Sequence, residues 1–269
     1  MRMDSAERRD RRVLWIHGWG MSPQVWKPIS GRLAKDTEWS HHEFSYAGCR
    51  DVSSLFEALE HRIAELRPEA VVAWSMGGLL LLDWLTRRYR DSDGGSDCKP
   101  GAHSELRKLV LIGATLQFTD ADRSRGWPLR VLERMQARLR TQPEDVLRQF
   151  AASMFTEAER EEGSAPERLL QPDTDMSAEG LQAGLSYLAA ATVREAWSDE
   201  LLPRLAAGSL RVLWIHGEYD PVCPIGAMPE DADGLERVVM RAGHAPFLTQ
   251  QAAFYERLRG FLNDNDKGG

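Results

Sequence analysis

The heptapeptide Arg-Val-Leu-Trp-Ile-His-Gly occurs twice in this chain, at residues 12–18 and 211–217. Each copy is an apolar run without alternation, closed by His-Gly. A strand with one wet face alternates apolar and polar residues, whereas an unalternating run needs cover on both faces, as a parallel strand between two helical layers has. Val71-Val72-Ala73-Trp74 and Leu109-Val110-Leu111-Ile112 have the same character. The similarity stops at the heptapeptide, so the copies are two buried strands with one turn requirement rather than a duplication. Helical spacing fills the gaps, most clearly in Leu55, Ala58, Leu59, Ile63 and Leu66 ahead of Pro68. This alternation predicts an α/β fold with a mostly parallel, doubly wound sheet.

In chain order the pattern predicts a strand at Val13–His17, a helix at Pro23–Leu33, a short strand at Glu43–Tyr46 and a helix at Ser54–Leu66. The Val71 strand runs into a helix. Strands at Leu109–Gly113, Arg211–Gly217 and Val238–Met240 and a closing helix at Ala252–Leu262 complete the core. Between the Leu109 and Arg211 strands the pattern is helical, at Leu129–Leu139, Pro143–Phe155 and Gly180–Trp197. A parallel crossover needs only a dozen or so residues, so residues 118–197 are expected to form an inserted helical lid on a core built from 1–117 and 198–269. Asp91–Gly101 is expected to be a surface loop without chemistry, and Asn263–Gly269 a frayed tail.

The chemistry centres on Ala73-Trp74-Ser75-Met76-Gly77-Gly78. Here a strand turns into a helix, which thrusts the serine hydroxyl outward above the unpaired N–H groups of the helix start. This is the G-x-S-x-G nucleophile elbow with Ala73 in the first glycine position; the alternative is a serine that merely caps a helix. A serine hydroxyl is a weak nucleophile and needs a base, and the base needs an acid to fix its tautomer. In doubly wound hydrolases these follow in the order Ser, Asp or Glu, His, each just past a strand. His244 is the only histidine after residue 216 and lies beyond the Val238 strand; Asp220 follows the Arg211 strand, with Glu218 the weaker choice. Glycines 18 and 20 free the backbone to aim the Trp19 N–H into the same cleft, as an oxyanion donor. His17 and His216 are expected to tie adjacent backbone turns. His41 and His42 lack partners at metal spacing, so no metal site is expected.

The 269 residues, 42% of them hydrophobic, suffice for one large core. A net charge of −7 and a pI near 5.6 argue against general attraction to nucleic acid or an anionic membrane. Cys49, Cys98 and Cys223 show no C-x-x-C spacing and read as free thiols. Met1–Arg12 lacks the apolar stretch of a secretory signal, and Ala70–Leu82 is too short and too interrupted to span a bilayer. A monomeric, cytoplasmic protein is expected.

With His17-Gly18-Trp19-Gly20, the Ser75 elbow, Gly217-Glu218-Tyr219-Asp220 and Gly243-His244-Ala245-Pro246-Phe247 in view, the chain resembles the α/β-hydrolases. Within them it is most similar to the pimeloyl-acyl-carrier-protein methyl ester carboxylesterases of biotin synthesis, over nearly its whole length and into the lid at Trp127-Pro128 and Phe150. The resemblance implies Ser75 as nucleophile, His244 as base, Asp220 as its partner, and the Trp19 and Met76 N–H groups as oxyanion hole. It also implies that the Trp19 indole and Phe150 contact substrate, with no cofactor. Ala73 and the Tyr46-Ala47-Gly48-Cys49-Arg50 loop depart from the family pattern, and the antiparallel strands that commonly open the fold are not expected.

From Arg123 to Arg148 the lid carries arginines 123, 125, 130, 134, 138, 140 and 148 against only Glu133, Glu144 and Asp145, a local balance of +4 in an acidic chain. Arg123, Arg125, Arg130, Arg134, Arg138 and Arg148 are thus candidate contacts for an acidic acyl carrier protein or its phosphopantetheine. The other reading is a solvated face with i,i+4 pairs such as Glu144 with Arg148. The expected reaction is ester hydrolysis through an acyl-enzyme, falling off in acid as His244 gains a proton. A small-ester or carbon–carbon-bond hydrolase or lyase, or a silent ligand-binding member of the fold, stays open.

Overall fold

The computed structural model of the protein describes residues 11–93, 105–161 and 174–264. The unalternating runs become strands β1 (Arg11–Ile16), β3 (Ala70–Trp74), β4 (Lys108–Ile112) and β5 (Arg211–Gly217). They are flanked by β2 (Trp39–Glu43) and β6 (Leu235–Met240) in one sheet of order β2-β1-β3-β4-β5-β6. Every pairing is parallel, with Ile16 opposite Ala73, Trp74 opposite Ile112 and His216 opposite Val239. The central strands carry the core: Val13–Ile16, Ala70–Trp74, Leu109–Ile112 and Leu213–Ile215 are fully buried. The edge strands β2 and β6 are half-buried and carry polar residues, as edges covered on one side do.

Helices α1 (Lys27–Asp36), α2 (Val52–Leu66) and α3 (Met76–Asp93) connect the first strands. α2 starts at an Asp51–Ser54 capping box and ends on Arg67 in the left-handed conformation. α3 absorbs Asp91–Asp93, the start of the segment expected as loop; the rest of that segment and Cys98 lie outside the described residues, as do Met1–Asp10 and the last five residues of the expected tail. After β1 the chain moves to β2 on one side and returns through α2 to β3 on the other, opening a crevice above the carboxyl ends of β1 and β3, the usual ligand position in such sheets. The terminal helix Gln251–Asn263 is fixed to β4 by buried Lys108, whose Nζ donates to the Phe261, Leu262 and Asp264 carbonyls.

Between β4 and β5 an inserted helical region contains α4 (Leu129–Leu139), α5 (Pro143–Ser153), α6 (Glu157–Glu161) and α7 (Ala178–Ala190). The expected helix 180–197 breaks after Ala190, because Thr192 bridges Gln117 and the Val193 N–H donates to the Leu116 carbonyl, closing the neck of the insertion. Other boundaries shift, and β6 begins at Leu235 rather than Val238. Pro23–Trp26 is a 3-10 turn leading into α1, and α5 stops at Ser153. The second strand lies at Trp39–Glu43, not Glu43–Tyr46, because Phe44 and Tyr46 are buried in the turn beyond it, edge on to one another at 4.8 Å. Among the described residues no helix is long and apolar enough to cross a membrane.

Candidate active site

Ser75 is the first residue after β3 and adopts φ 56°, a left-handed conformation that costs a non-glycine residue about 1–3 kcal/mol. Close packing holds it there. A Cβ on Gly77 would lie 2.7 Å from the His17 carbonyl oxygen, and one on Gly78 would lie 2.7 Å from the Ala114 methyl. Only glycines let the start of α3 sit this close to the strand ends. Ala73 needs no such licence, since it is an ordinary buried strand residue with negative φ. The Ser75 carbonyl accepts the Gly78 and Leu79 N–H groups at 2.9 and 3.2 Å, while the hydroxyl turns away to His244. The side chain is therefore not serving as a helix cap.

His244 follows β6 in a loop whose shape Gly243 permits. Its Nε2 lies 2.9 Å from Ser75 Oγ and its Nδ1 lies 2.7 Å from Asp220 Oδ2. The nitrogen facing the carboxylate holds the proton, which leaves the Nε2 lone pair for the serine hydroxyl. Asp220 Oδ1 accepts the Val222 and Cys223 N–H groups, both at 2.8 Å, so its turn orients the carboxylate. Glu218 is exposed, and the carboxylate bonded to His244 is that of Asp220. His244 is fully buried, Asp220 and Ser75 nearly so. The Trp74 indole N–H donates to the His244 carbonyl at 2.9 Å and its ring packs on the imidazole. His216 Nε2 donates to the Cys223 carbonyl at 2.6 Å, steadying the Asp220 turn from behind; burial lowers its pKa, which keeps it neutral.

Trp19 lies in the turn after β1, next to Gly18, where a Cβ would lie 3.1 Å from that of Ser75, and Met76 is the first residue of α3. Neither backbone N–H donates to another group among the described residues. The Trp19 ring lies beneath the inserted helices: its Nε1 donates to the Leu181 carbonyl at 2.8 Å, its edge meets Phe150 at 5.0 Å, and a Cβ on Gly184 would come within 2.5 Å of it. Phe150 also faces Trp127, whose indole N–H donates to the Pro221 carbonyl beside Asp220. The His17 ring donates from Nδ1 to the Gly18 carbonyl and faces Asp175 through Nε2 at 3.3 Å. Asp175 also accepts Ser45 Oγ and the Tyr46 N–H. Burial opposes ionisation of Asp175, but these partners outweigh it and hold the carboxyl below its usual range.

Sequence patterns gave no sign of Asp175, Glu159 or Gly113. Gly113 follows β4 at φ 49°, and a Cβ there would meet His244 Nδ1 at 2.9 Å and Asp220 Oδ2 at 3.2 Å, so the histidine–aspartate pair rests on a bare backbone. The lid arginines are all exposed. Arg148 pairs with Asp145 three residues away rather than with Glu144, and Arg138 donates to Gln149. Arg125 lies close enough to Asp120 and Asp122 to favour their ionised forms, and Arg123, Arg130, Arg134 and Arg140 have no carboxylate partner among the described residues. Arg123 and Arg130 line an open cleft of about 580 Å³ with Leu129 and Arg194, the last already bound to Asp120 at 2.6 Å.

The chain is 28% identical over 262 residues to a pimeloyl-[acyl-carrier protein] methyl ester esterase of Klebsiella pneumoniae, covering 93% of this chain and 92% of that one. It is 25% identical to the protein of the same name from Pectobacterium carotovorum, covering 93% of each. Among solved structures it resembles an esterase from Exiguobacterium antarcticum, with TM-score 0.71 and 20% identity over 94% of this chain and 92% of that chain. It also resembles the enol-lactonase from Burkholderia xenovorans LB400, with TM-score 0.70 and 17% identity over 96% and 94%. A profile of the alpha/beta hydrolase family matches residues 13–257, and with the fold and this strand-end arrangement in agreement, the chain belongs to that family.

Proposed function

We propose that the protein is a serine carboxylesterase acting through an acyl-enzyme, with Ser75 as nucleophile, His244 as base and Asp220 as its orienting acid. The single observation that carries this is the position of His244, 2.9 Å from Ser75 Oγ and 2.7 Å from Asp220 Oδ2. Ser75 Oγ attacks the ester carbonyl as its proton passes to His244 Nε2. The resulting oxyanion sits against the Trp19 and Met76 N–H groups. Collapse of this adduct sends the proton from His244 to the departing alkoxide. Water then attacks the acyl-enzyme, His244 accepts its proton, and Ser75 is restored as the carboxylate leaves. The residues supply nucleophile, base and oxyanion donors, so the reaction calls for no cofactor.

For the substrate we propose a pimeloyl-acyl-carrier-protein methyl ester, released as the free carboxylate and methanol. Two observations support it: the names carried by the relatives at 25–28% identity, and the exposed arginines 123, 130, 134 and 140, which have no carboxylate partner among the described residues. On a chain of net charge −7, the cationic stretch Arg123–Arg148 of the lid suits an acidic carrier. Trp19 and Phe150 would line the acyl chain.

The test compares this carrier-bound methyl ester with a short nitrophenyl ester, in the parent protein and in the double variant Arg134→Glu, Arg138→Glu. Charge reversal should lower kcat/KM on the carrier ester about 10- to 100-fold at low salt and leave the nitrophenyl ester unchanged. Equal effects on both esters, or no preference for the carrier, would replace this reading with a small-ester hydrolase.

A further inference from the structure

We infer that Glu159, on the short lid helix α6, is a positioning residue that sets the catalytic histidine. This rests on the esterase reading of Ser75 and His244. The carboxylate is almost fully buried, 8% exposed, and all its accepting positions are used. Oε2 closes the turn of its own helix, accepting the Thr156 N–H at 2.8 Å and Thr156 Oγ1 at 3.0 Å. Helix capping requires no more than that. Oε1 crosses to the core, accepting the Gly243 N–H at 2.9 Å and Thr249 Oγ1 at 2.7 Å. One lid carboxylate thus grips the residue before His244 and the turn after it. The His244 N–H itself donates to the Met154 carbonyl at 2.8 Å, so α6 and its lead-in hold the histidine loop from both sides.

The glycine at 243 belongs to the same device. A Cβ there would lie 2.5 Å from the Met154 oxygen and 2.8 Å from Glu159 Oε2, so only a bare backbone lets the loop seat against the lid. The lid also reaches the acid loop, through Trp127 Nε1 and the Pro221 carbonyl. The geometry makes seating of the lid and alignment of His244 on Ser75 one event. A carboxylate is suited to this because a charge-assisted acceptor bonds backbone N–H more strongly than a neutral one. Hydrogen bonds to charged groups and ångström-scale misplacement of a base each correspond to roughly 10- to 100-fold in rate.

The test uses the full chain with Glu159→Ala, Glu159→Gln and Thr249→Val, a short nitrophenyl ester, fluorophosphonate titration of reactive serine, and the low-field proton resonance of the His244 Nδ1–H···Asp220 bond. Glu159→Ala should lower kcat per titrated site about 10- to 100-fold with little change in KM, and should shift or broaden that resonance. Glu159→Gln keeps one oxygen for Gly243 and Thr249 and should recover activity to within about fivefold of the parent. Thr249→Val, losing one bond, should fall about two- to fivefold. A folded Glu159→Ala protein with parental kcat and an unmoved resonance would overturn the inference, leaving a structural cap. If Glu159→Ala does not fold, an unchanged rate and resonance in Thr249→Val would overturn it equally. Failure of the esterase reading is distinguishable: the parent protein would then neither hydrolyse the ester nor react at Ser75, while the resonance would still report whether Glu159 positions His244.

Discussion

Gly113→Ala tests the site through a residue that bears no functional group. In the parent the backbone of Gly113 turns at φ 49° directly beneath the His244–Asp220 pair. An alanine methyl there faces two penalties. The left-handed conformation costs it about 1–2 kcal/mol. The methyl would also lie 2.9 Å from His244 Nδ1 and 3.2 Å from Asp220 Oδ2, well inside ordinary contact, so the imidazole or the carboxylate must retreat by roughly half an ångström or more. Overpacking of this kind adds about 1–3 kcal/mol, for a total near 2–5 kcal/mol and a fall in Tm of about 4–20 °C in a protein of this size. Turnover should suffer more than stability, because a base moved by about 1 Å costs on the order of 100-fold in kcat. The assay is hydrolysis of a short nitrophenyl ester, normalised to serine titrated by fluorophosphonate and run below the variant's Tm. A folded Gly113→Ala protein with parental kcat would refute the claim that Ser75 acts through this histidine and aspartate as placed.

Other outcomes follow from the same packing. Gly184→Ala drives a methyl to within 2.5 Å of the Trp19 ring and should strain the α7–Trp19 contact, lowering Tm by about 2–8 °C; parental thermal unfolding would contradict that contact. His41 gives a pH signature. Burial, with His42 adding to it, holds its imidazole at about 4, against an ordinary 6.5. The unfolded chain takes up a proton in that interval that the folded chain refuses, so stability is full above pH 6.5 and falls as pH drops toward 4. For a partly exposed ring the loss is about 2 kcal/mol after solvent screening. Urea midpoints measured at pH 7.5 and 5 should converge in His41→Gln relative to the parent, and an unchanged pH dependence would sink the assignment.

The sheet was legible because its four central strands are buried on both faces and have no alternation to blur them. The edge strand β2 was misplaced because Phe44 and Tyr46, the apolar residues that drew the prediction, are buried by a turn beyond the strand rather than by the sheet. The expected helix over 180–197 broke where Thr192 and Val193 pair with the far end of the insertion, a long-range bond that helical periodicity cannot register. Of the site, the sequence pointed to the three side chains that the structure joins by hydrogen bonds, since Ser75, Asp220 and His244 follow strands in a fixed order. It was silent on the groups that hold them. Gly113 looked like a strand ending, and Glu159 like one of several surface acids in a charged helix. Their roles arise from bonds to residues 84 or more positions away, as for Glu159 and Gly243, or from space left for another loop's side chain.

The central claim is that Ser75 is an activated nucleophile, and intact-mass analysis after treatment with a fluorophosphonate addresses it directly. One phosphonyl adduct per chain is expected, mapping to the peptide that contains Ser75, absent in Ser75→Ala and slowed by orders of magnitude in His244→Ala, with both variants folded. An unlabelled parent protein, or an adduct that persists in Ser75→Ala, would contradict it.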